Sequence, residues 1–356
     1  MFCDEIVLFD NRYKIVKVYG HLRIPEGYNK DTDESLLEEL YNECVGRIYK
    51  ITATLNSDRI PTPRQDKIQL GGEYKSNTGR EGYKSMVQKL KEHIVKGDIY
   101  QSVPSQRITR ASNLHPFNIY RYLRTVNPSP YMFYYDFEDF QVVGASPELL
   151  ARVNRRRVDN HPIAGTRKRG SDAEEDEKLA AELISDEKER AEHVMLVDLS
   201  RNDLNRVCKP NSMSIDKEME VEYFSHVMHI VSNVSGELRD DKTCFDAIRS
   251  VLPAGTLSGS PKVRAVQLIY ECEKEKRGIY GGAVGHFQYN GNMDTCIAIR
   301  TMVVKNNMVY LQSGAGVVYD SDPEAEWQET LNKAMSNLYT LSSAEEYYKK
   351  LEGQRQ

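Results

Sequence analysis

The residues with the clearest chemical potential are carboxylates set in pairs. Glu189 and Glu192 stand three apart inside the stretch Asp186–Arg206. There Ala191, Val194 and Asp198 (or Met195) recur at intervals of three and four, which predicts a helix with both carboxylates on nearly one face. Two like charges held together repel unless a cation sits between them, and Mg²⁺, a hard oxygen-seeking ion, is the usual answer. On its own the same spacing also decorates exposed helix faces. A second stretch repeats it. Asp320–Thr330 opens another predicted helix, with Asp322 at the N-cap, Pro323 at the first position and a core stripe of Trp327, Leu331, Ala334 and Leu338. Glu326 and Glu329 are again three apart. Two helices each bearing a carboxylate pair could form a Mg²⁺ site with positions left open for a carboxylated or phosphorylated ligand.

Other stretches offer anion sites or buried charge. The turn Pro253–Pro261 carries Gly255, Thr256 and Gly259 and feeds a predicted helix from Lys262, with Ser260 read as its cap and Pro261 at its first position. It fails the phosphate-loop spacing, since Lys262 does not directly follow the second glycine and no Ser or Thr follows it. What remains is a glycine-rich turn at a helix N-terminus, which serves an anion or simply a tight bend. Gly314-Ala315-Gly316 marks a backbone that something approaches closely. Arg300 lies in a predicted strand, Cys296–Thr301, among apolar or small neighbours, so its charge should meet a carboxylate from protein or substrate. His229 lies in the predicted strand Val227–Val231, a place where histidine is often only a hydrogen-bonded core residue. Arg155–Arg157 reads as a hairpin tip, and Arg167-Lys168-Arg169 as a loop.

These residues need a large scaffold. The 356 residues can bury a sizeable core, as one α/β domain or two smaller ones. The net charge of −5 argues against a general nucleic-acid binder. Six cysteines, none in a close pair, suggest neither zinc nor a redox motif and fit a reducing compartment. With no signal peptide and no long apolar run, a soluble cytoplasmic protein without membrane contact is expected.

Along the chain, strands are predicted at 5–8 and 13–24 and a helix at 35–49. A polar stretch, 56–80, reads as a linker or long surface loop. Beyond it come a helix around Tyr83–Ile94 closed by Lys96-Gly97, a strand 98–108, a helix 116–126, a strand pair in 131–143 and a strand 158–163 leading into 164–170. After the acidic helix follow a strand 226–237, helices 241–251 and 262–273, and strands 280–289, 293–304 and 308–313, the first two of these joined at Asn290-Gly291. Helices interleaved with antiparallel hairpins predict an α+β fold rather than a doubly wound sheet.

Taken together, these stretches resemble the chorismate-utilising enzymes, and within that family the large (component I) subunits of anthranilate synthase. The resemblance is carried by 97–107 (Gly-Asp-Ile-Tyr-Gln-Ser-Val-Pro-Ser-Gln-Arg), 127–132, 144–148 (Gly-Ala-Ser-Pro-Glu), 162–167 (Pro-Ile-Ala-Gly-Thr-Arg), 189–193 (Glu-Arg-Ala-Glu-His), 253–262, 280–285 and 312–316, in the family's order. It covers nearly everything from Glu81 to Asn337. It implies the family's layered α+β sandwich of two large, mostly antiparallel sheets flanked by helices, with a catalytic domain over 81–342 and a tail over 343–356.

By position, the resemblance makes Glu192 and Glu329 the Mg²⁺ ligands, with Glu189 and Glu326 as further acidic groups on the same faces. The metal would polarise the ring carboxylate of chorismate. Gly165, Thr166 and Gly314, Ala315 and Gly316 would bind substrate carboxylates, Tyr280 and Arg300 would clamp the enolpyruvyl carboxylate, and Thr256 would sit in the anion-binding turn. His229 would serve as general acid–base catalyst during loss of pyruvate. The implied reaction adds ammonia at ring C2, expels the 4-hydroxyl and eliminates pyruvate to give anthranilate, a step of tryptophan biosynthesis.

Relatives that make aminodeoxychorismate or isochorismate carry a lysine where Ala164 stands, as nucleophile or as base for water; alanine can do neither. No glutaminase elbow is visible, so a glutamine amidotransferase subunit (component II) supplying ammonia in a hetero-oligomer is implied. The family's component I usually has a further N-terminal stretch that completes an inhibitor (tryptophan) pocket. Here residues 1–55 resemble a remnant of that region, and only Pro130, Tyr131 and Met132 match the pocket. A chain lacking that stretch is expected to expose sheet edges and to aggregate, and a second reading is an inactive chain that only binds chorismate or the partner.

Overall fold

A computed structural model describes residues 1–29, 33–59, 61–224 and 227–355. The chain divides into two compact units, Met1–Pro63 and Arg64–Gln356. In the first, β1 (Glu5–Asp10) and β2 (Ile15–Gly20) pair antiparallel and α1 (Glu34–Leu55) follows. Asp10 shapes the hairpin turn by accepting the N–H groups of Arg12 and Tyr13 on one side-chain oxygen. Arg47 of α1 reaches Glu5 of β1 at 2.5 Å.

The second unit opens with β3 (Lys75–Ser76), α2 (Gly79–Val95), β4 (Gln101–Ser102), β5 (Ser105–Ala111) and α3 (Pro116–Val126). Then come β6 (Tyr131–Asp136), β7 (Gln141–Ser146), β8 (Leu149–Asn154), β9 (Arg157–Asn160) and β10 (Ile163–Lys168). Helices α4 (Ala173–Ser185) and α5 (Glu187–Asn205) precede β11 (Ser214–Tyr223) and β12 (Val227–Glu237). The one-turn α7 (Gly255–Ser258) and β13 (Gly259–Ser260) lie between α6 (Cys244–Val251) and α8 (Lys262–Cys272). The chain ends with β14 (Ala283–Phe287), β15 (Met293–Ile297), β16 (Thr301–Lys305), β17 (Met308–Gly314) and α9 (Pro323–Arg355).

Two large sheets hold the unit together. One has the order β10-β12-β9-β8-β15-β14, with β11 added on β12; the other runs β3-β5-β17-β16-β7-β6. Every pairing in both is antiparallel. The expected α+β sandwich is therefore present. Leu150, Val153, Val158 and Val234 of the first sheet pack with Leu204 of α5 and with Ala247 and Val251 of α6. Ile108, Val143, Met302 and Leu311 of the second pack with Ile119 and Leu123 of α3 and with Ala334 and Leu341 of α9. The seam between the sheets carries a polar tie, where Asp294 accepts from the Tyr131 hydroxyl and the Arg152 guanidinium, each at 3.0 Å.

Several expectations shift for identifiable reasons. The strand read at 98–108 breaks into β4 and β5 around Pro104, and that at 158–163 ends before Pro162, since proline has no N–H for a ladder. The strand read at 293–304 is two strands in different sheets, with Arg300 between them at φ 51. Arg167 and Lys168, read as loop, lie in β10, as do Gly165 and Thr166. On α5 the buried residues are His193, Leu196, Val197, Ser200 and Leu204, one position off the expected stripe, and Val194 is exposed. Pro261, not Ser260, caps α8. Helix α4 and strands β8 and β11 had no counterpart in the reading. The strand expected from 226 is β12, and His226 lies outside the described residues. The stretch 343–355 continues α9, with Ala344 wholly buried.

Arg110 of β5 and Glu345 of α9 meet at 2.7 Å, 5% and 1% exposed, and Ser112 gives Glu345 a further hydrogen bond. Removing one partner would strand a buried charge, so Glu345→Ala should destabilise the fold by about 3–5 kcal/mol. Urea unfolding measures this, and a loss below about 1 kcal/mol would place the pair at the level of surface bridges.

Candidate active site

The two acidic helices are placed by their caps. Asp186 caps α5 by accepting the N–H groups of Lys188 and Glu189, and Asp322 caps α9 by accepting those of Glu324 and Ala325. The helices face each other closely enough for the Lys188 charge to act on Glu326. Burial raises the Glu189 carboxyl above its ordinary range and the nearby Glu192 adds to this; burial also raises Glu326. Each of the four carboxylates has a protein partner: Arg167 for Glu189 (3.3 Å), Gln101 for Glu192 (2.9 Å), Ser321 for Glu326 (2.7 Å) and Lys333 for Glu329 (3.4 Å).

Glycines bring backbone against these side chains. Gly165 in β10 has φ +68, and a Cβ there would lie 3.2 Å from a Glu189 carboxylate oxygen and 3.1 Å from Leu183. A Cβ on Gly314 would lie 2.6 Å from the Pro104 carbonyl and 3.1 Å from the Tyr280 hydroxyl. Gly316 lies beside Gln101 and Glu192, its Cβ position 3.8 Å from a Glu192 oxygen. The close approach read from the sequence is thus to site residues themselves.

A second group surrounds Arg300. Burial lowers the guanidinium pKa, opposed by Tyr280, Glu329 and Glu148. Among the described residues no carboxylate lies within ion-pair distance of Arg300, so its expected partner is supplied by the field of these groups alone. Glu148 is pushed up to about 7 by burial, although the Thr256 hydroxyl donates to it at 3.0 Å and Arg300 and Lys333 act against the rise. Burial pushes the Tyr280 phenol up to about 12. His229 lies in range of the same Arg300 and Lys333 charges. Its Nδ1 is 2.7 Å from the Gly165 carbonyl, which can only accept, so Nδ1 carries the proton and Nε2 is left with a lone pair. Burial lowers its pKa, which keeps the ring neutral and basic near pH 7. The Phe224 ring holds the imidazole edge-on at 5.4 Å.

Thus His229, Thr256, Tyr280, Arg300, Gly165, Thr166 and Gly314 are brought into one electrostatic neighbourhood, with Glu329 at its border. Ala315 is fully buried and gives its N–H to the Tyr83 hydroxyl, so it is a structural member of the turn. Tyr131 stands elsewhere, at the seam between the sheets, and Met132 beside it in β6 packs on the core of the second sheet, with Pro130 just before the strand. Glu148, Lys333 and Gln101 escaped assignment. Glu148 and Gln101 lay inside motifs already noted, and Lys333, which also contacts the Gly314 carbonyl, stands four residues after Glu329 on the same helical face.

Fold and site together define a chorismate-binding enzyme. The chain belongs to that family, whose model matches residues 1–339. It is 57% identical over 346 residues to the probable anthranilate synthase component 1 of Schizosaccharomyces pombe, covering 97% of this chain and 69% of that one. It is 54% identical over 357 residues to anthranilate synthase component 1 of Saccharomyces cerevisiae, covering 99% and 69%. The crystal structure of anthranilate synthase component I from Streptococcus pneumoniae TIGR4 superposes with a TM-score of 0.81 at 41% identity, covering 94% of this chain and 72% of that one. Among the described residues no helix is long and apolar enough to cross a membrane.

His193, next to Glu192 on α5, is wholly buried, and its Nε2 lies 2.6 Å from the Ser232 hydroxyl of β12. Burial pushes the imidazole down to about 4 from an ordinary 6.5. Below pH 6.5 the unfolded chain takes up a proton that the folded chain refuses, so stability is full above 6.5 and lost as pH falls towards 4. From pH 7 to 5 the protein should lose about 2 kcal/mol more stability than its His193→Gln variant. Urea titrations at both pH values test this, and equal losses would refute it.

Proposed function

We propose that the chain converts chorismate to anthranilate, adding ammonia at ring C2, expelling the 4-hydroxyl and releasing pyruvate. The observation that carries this reading is the group around Arg300: a half-buried cation, an acid raised to about 7 by burial and a neutral base, with Gly165 beside His229 and Gly314 beside Tyr280. Arg300 and Tyr280 take the enolpyruvyl carboxylate, which completes the charge balance Arg300 lacks. Gly165, Thr166, Gly314 and Gly316 hold the ring carboxylate. Glu148, protonated up to about pH 7, gives its proton to the departing 4-hydroxyl while Thr256 orients it. The His229 Nε2 lone pair takes the ring C2 proton as pyruvate leaves, and the Gly165 carbonyl stabilises the imidazolium through Nδ1–H. Ala164, 7% exposed at the head of β10, has no amine to attack the ring or to activate water, so the nucleophile is ammonia itself.

The four glutamates suit Mg²⁺. They are hard oxygen donors, and among the described residues no three acidic, cysteine or histidine side chains form a closed metal cage. Mg²⁺ is usually held by one or two carboxylates plus ligand oxygens and water. Glu192 and Glu329 would hold it, Glu329 exchanging Lys333 for the metal. Bound there, it would act as a Lewis acid on the ring carboxylate. All these residues fall within 81–342, which we assign as the chorismate-binding region. A component II subunit would release ammonia from glutamine, and Pro130, Tyr131 and Met132 would contribute to a tryptophan site.

Anthranilate fluorescence from protein, chorismate, Mg²⁺ and ammonium salt tests the reading without the partner. The signal should vanish with EDTA and in Glu329→Gln. Glu148→Gln should cut kcat by about 10²–10⁴, the usual worth of a general acid. A Glu148→Gln enzyme within about tenfold of the parent would rule Glu148 out as the acid.

A further inference from the structure

Behind the Tyr280 wall lies an ion pair that the reaction above does not use. Arg277, in the segment after α8, bonds Glu273 through Nε (2.9 Å) and Nη2 (2.6 Å). The same guanidinium donates to the Leu257 carbonyl (2.7 Å) and the Val103 carbonyl (2.6 Å), and it stands 5.5 Å from the centre of the Tyr280 ring. Glu273 also accepts from the N–H (2.7 Å) and the hydroxyl (2.8 Å) of Ser105. The side chains are only 8% (Glu273) and 20% (Arg277) exposed.

The partners lie on three separate parts of the chain. Leu257 directly follows Thr256. Ser105 pairs with Gly314 in the β5–β17 ladder, and its hydroxyl takes a further hydrogen bond from Gln312. Tyr280 rests its ring against the cation. A buried ion pair is weak evidence for stability, since apolar side chains of the same volume often serve as well. What an apolar pair cannot do is hydrogen-bond two separate backbone segments, 103–105 and 257, at fixed distances. Arg277 does so because its planar fork directs several N–H groups at once.

We infer that the Glu273–Arg277 pair is a positioning device for the chorismate site, setting Tyr280 and Thr256 relative to Gly314. The inference rests on the roles proposed above for Tyr280 and Thr256. Glu273 and Arg277 touch no substrate; they act through the walls they join. Loosening the pair should weaken the grip on the enolpyruvyl carboxylate before it slows the chemistry.

The test is a double-mutant cycle on steady-state kinetics of the chain with ammonium as nitrogen source. Glu273→Gln keeps the side-chain shape and, in protein shown to be folded, should raise the KM for chorismate about tenfold with kcat within about threefold. Tyr280→Phe should raise KM by itself. The double variant should then be no more than about twofold worse than the worse single, because both changes remove one constraint. Arg277→Lys, which keeps the charge but cannot bridge Leu257 and Val103, should reproduce Glu273→Gln and carries the same cycle if that variant fails to fold. Multiplying losses, or an unchanged KM in both pair variants, would overturn the inference while leaving the Tyr280 assignment standing. A silent Tyr280→Phe would overturn that assignment and the inference with it.

Discussion

A guanidinium cannot be taken out of water without negative charge or dipole to meet it, and the site is arranged around that constraint at Arg300. The backbone delivers the residue at a crossing point, where the chain leaves one sheet after β15 and enters the other as β16, with φ 51 at the crossing. A non-glycine residue in that region is strained, a cost tolerated where the surroundings over-determine the position. Tyr280, Glu148 and Glu329 supply the compensating field from three different parts of the chain. None forms a closed ion pair with it. The cation is therefore paired by geometry at a distance, which is the state a binding site for a dianionic substrate needs before its ligand arrives.

The same low-dielectric surroundings set the proton chemistry. Burial moves an acid and a base in opposite senses: the Glu148 carboxyl rises towards neutrality and the His229 imidazole falls below its ordinary range. Near pH 7 a large share of the carboxyl therefore keeps its proton while the imidazole stays neutral. Hydrogen bonds orient them, from Thr256 to Glu148 and from His229 to the Gly165 carbonyl. Environments that push two titratable groups into complementary roles are how one cavity carries both an acid and a base step. The carboxylate pairs on α5 and α9 border the arrangement, each carboxylate held by a protein donor.

Much of this was legible in the amino-acid order, because the informative signals are local. The N-cap Asp322, the three-residue spacing of Glu189/Glu192 and Glu326/Glu329, the Asn290-Gly291 hairpin and the Lys96-Gly97 stop all depend on neighbours within a turn or two. Where local rules failed, a proline or a sheet change was responsible: Pro104 and Pro162 divided strands that periodicity had joined, and Arg300 sat in a break rather than in a strand. β11 escaped because its alternation is largely charged, the pattern of a strand with one hydrated face. The α5 stripe was misjudged by one position because His193 and Ser200, both polar, are among its buried residues.

What the sequence by itself determined was the element types, the family motifs and the presence of paired carboxylates, since these follow from periodicity, capping and residue chemistry. Only the tertiary structure decided which of those residues share a volume. Glu148 lies 108 residues from Thr256, and Gly165 lies 64 from His229. The raised acid, the lowered base and the bridging Arg277 all arise from such long-range neighbours. Electrostatic character inside a protein is a property of distance and desolvation, and neither is written along the chain; both appear only when the two sheets and the helices α5 and α9 close around the site.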